Sequence, residues 1–420
     1  MLNNNFNMGI LKNFGYSYRD LTIVPKDISE IESRSDCNTR YNDGMLPIFT
    51  APMTCVVNEL NFNYWRNNGI IPILPRTSLP DWKDKVNFIC SGSWVALGLE
   101  DFERLISDPL DQSLFKVGKI RILLDIANGH MRKVLVLCKK IRSIYGESIE
   151  LMSGNIANPD TYSDYCNAGI DYVRCSIGSG AGCLTTSNTG IHYPIASLLE
   201  EINYRKAILG TKATTKIIAD GGIRNYSDII KALALGADYV MIGGLFTSIL
   251  ESAAEMTSGV LGGELNIVDY KTVEYTVNIS GSTIPEALRF DWGDIEIKYK
   301  TAERDGYLFL TYIIDLLEDS ETKKRQFLRV VKNSKNVLMK EFYGMSTKKA
   351  QTLMGKTNLK TSEGKERKVY VTHTLRQWVE NMEDYLKSAM SYCNSHTLED
   401  FIGKQDLIPN SQGELDALNK

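Results

Sequence analysis

Between about residue 45 and residue 250 the chain repeats one pattern eight times: a short apolar run, then a stretch with apolar residues at helical spacing. The runs are Leu46–Met53, Ile70–Pro75, Ser93–Leu99, Ile120–Ile126, Ile149–Gly154, Asp171–Ile177, Thr215–Asp220 and Asp238–Gly243. Recurrence at intervals of roughly 20 to 30 residues predicts β-α units with a parallel sheet. Met131–Tyr145, Pro159–Ala168 and Ser227–Leu235 supply crossover helices, and glycine follows the last two, in Asn167-Ala-Gly169 and Leu235-Gly-Ala237. Eight such units predict an α/β fold, a closed (β/α)8 TIM barrel; a doubly wound open sheet is the competing arrangement.

In such a barrel, functional residues lie at the C-terminal ends of the strands, with phosphate handled after the seventh and eighth. The first run ends in Ala51-Pro-Met53, the fourth in Asp125-Ile-Ala-Asn-Gly129, the fifth in Gly154-Asn155 and the seventh in Asp220-Gly-Gly222. The eighth ends in Gly243-Gly244 before the helix-forming Leu245–Glu255. The sixth opens into Arg174–Gly190, where Gly178, Gly180 and Gly182 permit close backbone approach and set Cys183 at a loop tip. Paired glycines leading into helices suit a phosphate through free N–H groups and the helix dipole. Taken singly these glycines are tight turns; six strand ends together indicate a site.

After residue 255 the pattern changes. Thr272–Ile279 and Ile295–Tyr299 alternate like strands, Tyr307–Leu317 reads as a helix, and Lys323–Lys335 is a basic tract read as a solvated helix face. The expected organisation is a barrel with an N-terminal segment over 1–255 and an inserted α+β subdomain over 256–341. A flap and the C-terminal part of the barrel domain occupy 342–402, including the helix Thr374–Met390, and a loosely ordered tail 403–420. Net charge of −3, with 48 basic and 51 acidic residues intermixed, gives no general attraction to nucleic acid or anionic membrane. No stretch approaches the roughly 18 apolar residues of a membrane span. Eight cysteines without a CxxC pair and four histidines suggest neither a disulfide framework nor zinc, and the chain reads as cytoplasmic.

The strand-end residues in this order resemble the IMP dehydrogenase and GMP reductase family, over residues 16–255 and 341–402. Leu124-Asp-Ile-Ala-Asn-Gly129, Phe342-Tyr-Gly-Met-Ser346 and Thr361-Ser-Glu-Gly-Lys365 are closer to GMP reductase. So is the absence of a regulatory tandem domain between the second and third strands. The resemblance implies that Cys183 attacks purine C2 and that Thr185 and Glu363 manage protons at the departing amino group. NADPH would then deliver hydride to release IMP from GMP. It implies Asp220 on the ribose hydroxyls, and Gly221, Gly222, Gly243 and Gly244 around the 5′-phosphate. Met53, Met345, Ser346, Ser362 and Gly364 would surround the base. Asp125, Ala127, Asn128 and Gly129 would face the nicotinamide, and the carbonyls of Gly178, Gly180 and Cys183 would hold a monovalent cation, K+. Relatives form tetramers through barrel sides, so a homo-oligomer is expected. Without the resemblance, Asp220 reads equally as a helix N-cap, Met53 as core and Glu363 as a solvated carboxylate.

The sequence departs from the family at four places. Ala181 replaces a phosphate-binding serine, removing a hydrogen bond worth about 0.5–1.5 kcal/mol. Lys360 and Thr186 replace arginines, so bidentate contacts become single-point ones. The insertion of about 70 residues enters beside the mouth of the barrel. Two alternatives stand beside the reductase: an IMP dehydrogenase without its regulatory domain, and a purine nucleotide sensor without turnover. The dehydrogenase uses an Arg-Tyr pair on its flap, and neither residue type occurs between Met345 and Glu363.

Overall fold

The computed structural model describes residues 15–259, 263–267, 272–279, 299–304, 307–315, 320–333, 337–353, 358, 361, 364–411 and 413–415. In chain order the first nine strands are β1 (Leu21–Ile23), β2 (Ile48–Thr50), β3 (Ile73–Leu74), β4 (Trp94–Leu97), β5 (Ile120–Asp125), β6 (Ile149–Ile156), β7 (Tyr172–Cys175), β8 (Lys216–Asp220) and β9 (Tyr239–Ile242). They are followed by β10 (Met256–Gly259), β11 (Gly263–Ile267), β12 (Thr272–Ile279), β13 (Tyr299–Arg304), β14 (Tyr307–Asp315), β15 (Val337–Tyr343), β16 (Glu366–Tyr370) and β17 (Leu407–Pro409). Each of the eight expected runs contains one of β2 to β9, and only β6 runs past its expected end.

Strands β2 to β9 form one parallel sheet in the order β2-β9-β8-β7-β6-β5-β4-β3. The remaining seam is closed by a parallel bridge from Phe49 to Ile71, with Thr50 N donating to Ile71 O and Ile71 N to Ile48 O, both at 2.9 Å. Every chain neighbour is a sheet neighbour and no reversal of order occurs, so the sheet is the (β/α)8 barrel and not the open sheet. Its interior holds Phe49, Trp94, Leu123, Met152, Ile218 and Met241. Trp94, Tyr172 and Tyr239 are the first residues of β4, β7 and β9, and their rings meet with Phe49 at centroid separations of 5.1 to 6.0 Å. These rings plug the N-terminal end, leaving the glycine-rich C-terminal end as the mouth. Outside, helices bury apolar stripes against the strands; Arg132–Tyr145 buries Val134, Leu137, Cys138, Ile141 and Tyr145, the three-to-four spacing of one helix face.

Three expectations are corrected. Leu245–Glu255 does not continue as a helix beyond Gly244–Thr247. Backbone partners from elsewhere divert it: Leu250 N donates to His373 O at 3.0 Å and Ala253 N to Val56 O at 3.0 Å. Tyr307–Leu317 is not a helix; β14 lies between β12 and β13 in an antiparallel four-stranded sheet with β11 at its far edge. Its apolar run carries β-branched and aromatic residues, which favour a strand with neighbours on both sides. Of Ile295–Tyr299 only Tyr299 is among the described residues, as the first residue of β13. The tail is tied down as far as residue 411: Gly403 N donates to Leu233 O at 3.0 Å, Gln405 is buried, and β17 pairs antiparallel with β1. Residues 412 and 416–420 lie outside the described residues.

The basic tract forms the helix Glu321–Asn333, and it is not simply a solvated face. Lys324, 1% exposed, donates to Glu251 Oε1 at 3.2 Å and to the Tyr64 hydroxyl at 2.9 Å. Burial, reinforced by Glu251, pushes the Tyr64 phenol up, so it stays protonated and donates to Glu251 at 3.0 Å. The other carboxylate oxygen of Glu251 accepts from Leu375 N at 2.9 Å. A second buried lysine, Lys340 of β15, donates to Leu250 O at 2.8 Å, Ser252 O at 2.5 Å and Ser252 Oγ at 3.0 Å. The segment between β9 and the flap is therefore clamped to the turn Leu250–Ser252 by two buried lysines. Among the described residues all eight cysteines are free, and no helix is long and apolar enough to cross a membrane.

Removing one partner of a buried pair strands the other charge. Lys324→Met is expected to lower unfolding free energy by about 3–5 kcal/mol, and Glu251→Gln added to it is expected to recover most of that loss. Chemical denaturation measures both, and a double variant no more stable than the single one would show that Glu251 is not the stranded charge.

Candidate active site

Arg174, the third residue of β7, is the one charged side chain in a strand otherwise made of Tyr172, Val173 and Cys175. It is 8% exposed and turns toward the mouth. Its Nη1 donates to Asp125 Oδ1 at the end of β5 at 2.8 Å, and its Nε to Asp220 Oδ2 at the end of β8 at 2.9 Å. Burial works against the guanidinium charge, and the two carboxylates overcome it, holding the pKa above the ordinary arginine value. Asn155 Nδ2 also donates to Asp220 Oδ2, at 2.6 Å. The fixed oxygen of Asp220 takes every one of these donors, and Oδ1 has no protein donor among the described residues. Nor is Asp220 a helix cap: Asn225 caps the following helix, accepting from Asp228 N.

The loop after β7 carries Cys183, half-buried. Its N–H donates to Gly180 O at 2.9 Å, its thiol to Thr185 Oγ1 at 3.1 Å, and its sulfur accepts from Thr185 N at 3.4 Å. The flap comes to this loop as a ribbon. Strand β15 pairs antiparallel with β10 and β16; beyond it Gly344 N donates to Lys365 O at 3.1 Å and Lys365 N to Gly182 O at 2.9 Å. Cys183 and Gly364 form an antiparallel bridge. The contact is too close for side chains: a Cβ on Gly182 would lie 2.7 Å from the Phe342 ring, and one on Gly364 would lie 2.7 Å from Thr347 Cγ2.

The other expected residues fall around these two features. Gly221 and Gly222 adopt positive φ of 108° and 77°, and Gly221 lies against the Gly180 backbone. Gly243 lies against Met53, whose Sδ would be 2.7 Å from a Cβ there, and Gly244 faces Ala181 and Phe342. Met53 is half-buried, touching both the barrel interior and the outer core. Met345 is half-buried and Ser346 exposed at the start of the flap turn; Ser362, Glu363 and Lys360 lie outside the described residues. Ala127 and Asn128 are exposed beside half-buried Asp125. Gly129 differs: its N–H donates to Asn155 O at 2.9 Å, its carbonyl accepts from the Tyr165 hydroxyl, and a Cβ would strike both partners. It packs the loop rather than facing the mouth. Of the three expected cation ligands, Gly178 has φ of 79° and Gly180 O already accepts from Cys183 N.

Sequence reasoning gave no role to Arg174, Asn155 or Phe342. The signal for Arg174 was present, since arginine inside a buried strand requires a paired anion. Nothing local marked Phe342 as the ring that covers Gly182.

Residues 15–265 match the IMP dehydrogenase / GMP reductase domain. Among known proteins the chain is similar to the GMP reductases of Staphylococcus aureus strains JH9, Newman and MW2, each 31% identical over 251 residues, which is 57% of this chain and 73% of the reductase.

A methyl group at position 182 is expected to push the Phe342 ring and the ribbon away from the Cys183 loop. Gly182→Ala should cost about 1–3 kcal/mol of stability and speed hydrogen exchange at the Lys365 amide, which donates to Gly182 O. Unchanged exchange there would show that the flap does not close on the loop.

Proposed function

Because the chain belongs to the IMP dehydrogenase / GMP reductase family of oxidoreductases, we propose that it catalyses the NADPH-dependent reductive deamination of GMP to IMP and ammonia. The observation that carries this reading is Cys183, with Thr185 Oγ1 at 3.1 Å and the flap bridged to it through Gly364. A thiolate is strongly nucleophilic near neutral pH and is also a leaving group. Cys183 adds to C2 of GMP, forming a C–S bond. The amino group takes a proton and leaves as ammonia, and the ring is held as a thioimidate. NADPH, when bound, supplies the hydride that C2 accepts. The C–S bond then breaks, returning the electron pair to sulfur and releasing IMP.

Thr185 is the near member of the proton-transfer pair, and Glu363, next to the bridged Gly364, is the other. Asp220 presents Oδ1 to the ribose while Arg174 and Asn155 hold Oδ2, so the carboxylate is oriented before substrate arrives. Met53 and Met345 pack on the base, with Ser346, Ser362 and Gly364 at its edge. Gly221, Gly222, Gly243 and Gly244 offer backbone N–H groups to the 5′-phosphate. The exposed Ala127 and Asn128, beside Asp125, fit a flat nicotinamide ring. On this reading the carbonyls of Gly178, Gly180 and Cys183 would hold K+, with Gly180 O also accepting from Cys183 N. The enzyme would be a cytoplasmic homotetramer. The flap sequence favours the reductase over the dehydrogenase, because Met345 to Glu363 holds neither Arg nor Tyr.

Purified protein with GMP and NADPH is expected to consume NADPH absorbance, and Cys183→Ala to lower kcat by about a thousandfold or more. IMP with NAD in potassium buffer is expected to give no signal. A rise in the second assay alone would make the protein a dehydrogenase, and silence in both would leave a purine nucleotide sensor.

A further inference from the structure

The phosphate end of the site, on the reading above, has lost a side-chain donor: position 181 carries a methyl group, and the surrounding loops contribute Gly182, Gly243 and Gly244. A dianion held by backbone N–H groups alone lacks a fixed counter-charge. The ribbon brings one. In the β15–β16 register Phe342 is paired directly with Arg367, and directly opposed residues of an antiparallel pair project from the same face. That face points to the barrel, since Lys340, two residues before Phe342, is buried against Leu250 and Ser252. The Phe342 ring in turn lies over the glycines, with Cε2 3.3 Å from a Cβ built on Gly244 and Cε1 and Cζ 2.7 Å from one on Gly182. The guanidinium of Arg367 sits over this same ring, 5.2 Å from its centroid.

Arg367 forms no ion pair among the described residues, although arginines elsewhere on this surface do, such as Arg325 with Glu321 and Glu380. Its exposed guanidinium is held by an aromatic face rather than by a carboxylate. That arrangement fixes the planar fork while leaving its N–H donors free.

We propose that Arg367 is a specificity-determining residue that binds the 5′-phosphate of the substrate from the flap side, supplying the charge-assisted contact that Ala181 cannot. The assignment rests on the nucleotide reading above. Phe342 is the platform that sets the guanidinium one ring away from Gly182 and Gly244. Because the phosphate does not take part in the reaction, the contact is made equally in the ground and transition states and acts on binding rather than on kcat.

Calorimetric titration of the full chain with GMP and with guanosine, for the wild type, Arg367→Ala and Arg367→Lys, tests this directly. Arg367→Ala is expected to weaken GMP binding about 10- to 100-fold, the range of a charge-assisted hydrogen bond. Guanosine binding should be unchanged, and Arg367→Lys should fall between. In turnover the same variant should raise KM for GMP and keep kcat. GMP bound equally by wild type and Arg367→Ala would overturn the proposal while the nucleotide reading stands. Equal weakening of GMP and guanosine would also overturn it, since Arg367 would then act only through the Phe342 platform. A wild type that binds no GMP would overturn both.

Discussion

The mouth of the barrel depends on one buried cation, Arg174. Arg174 reaches from β7 to Asp125 at the end of β5 and to Asp220 at the end of β8, so one guanidinium spans strand ends that the sheet alone would only hold side by side. Two carboxylates this close, without it, would repel each other in a half-buried setting. With it, each has a fixed orientation. Asp220 keeps one oxygen without a protein donor among the described residues, because Arg174 and Asn155 both take the other. The carboxylates at these two strand ends are thus oriented by side chains from neighbouring strands.

The second constraint runs through the insertion. A segment placed between the eighth barrel strand and the flap would loosen the site if it moved freely. Here its C-terminal part is anchored by two buried lysines: Lys324 on Glu251 and Tyr64, and Lys340 on Leu250 and Ser252. From Lys340 the chain needs two residues to reach Phe342, whose ring lies on Gly182 next to Cys183. The inserted residues therefore help seat the flap against the Cys183 loop. Their amines meet acceptors on the turn after β9, the turn whose backbone is diverted from a helix by His373 and Val56.

The barrel was legible because its signal is periodic and repeated. Eight apolar runs, six of them with glycine, asparagine or aspartate at or beside their ends, carry both the strand positions and the end at which chemistry is placed, and the glycine-cysteine loop is marked by composition alone. Tyr307–Leu317 reads as a helix because a continuous apolar run has no period that separates a buried strand from a helix; the pairing of Tyr307–Asp315 with β12 and β13 decides the matter. The tail was misread because polar composition does not disclose that β17 finds an edge at β1, nearly four hundred residues earlier.

What the chain's own residues determined is the repeating fold, the C-terminal mouth, and the residue types gathered there: Cys183, Thr185, Asp220, Asp125 and the paired glycines. These follow from local spacing, which survives in one dimension. What only the tertiary structure decided is which charges meet and which rings cover which glycines. The Arg174 bridge, the two buried lysines and the seating of Phe342 under Arg367 each join residues from separate elements. Such pairings are set by strand register and by the need of every buried charge for a partner, and neither is written in the spacing of residues along the chain.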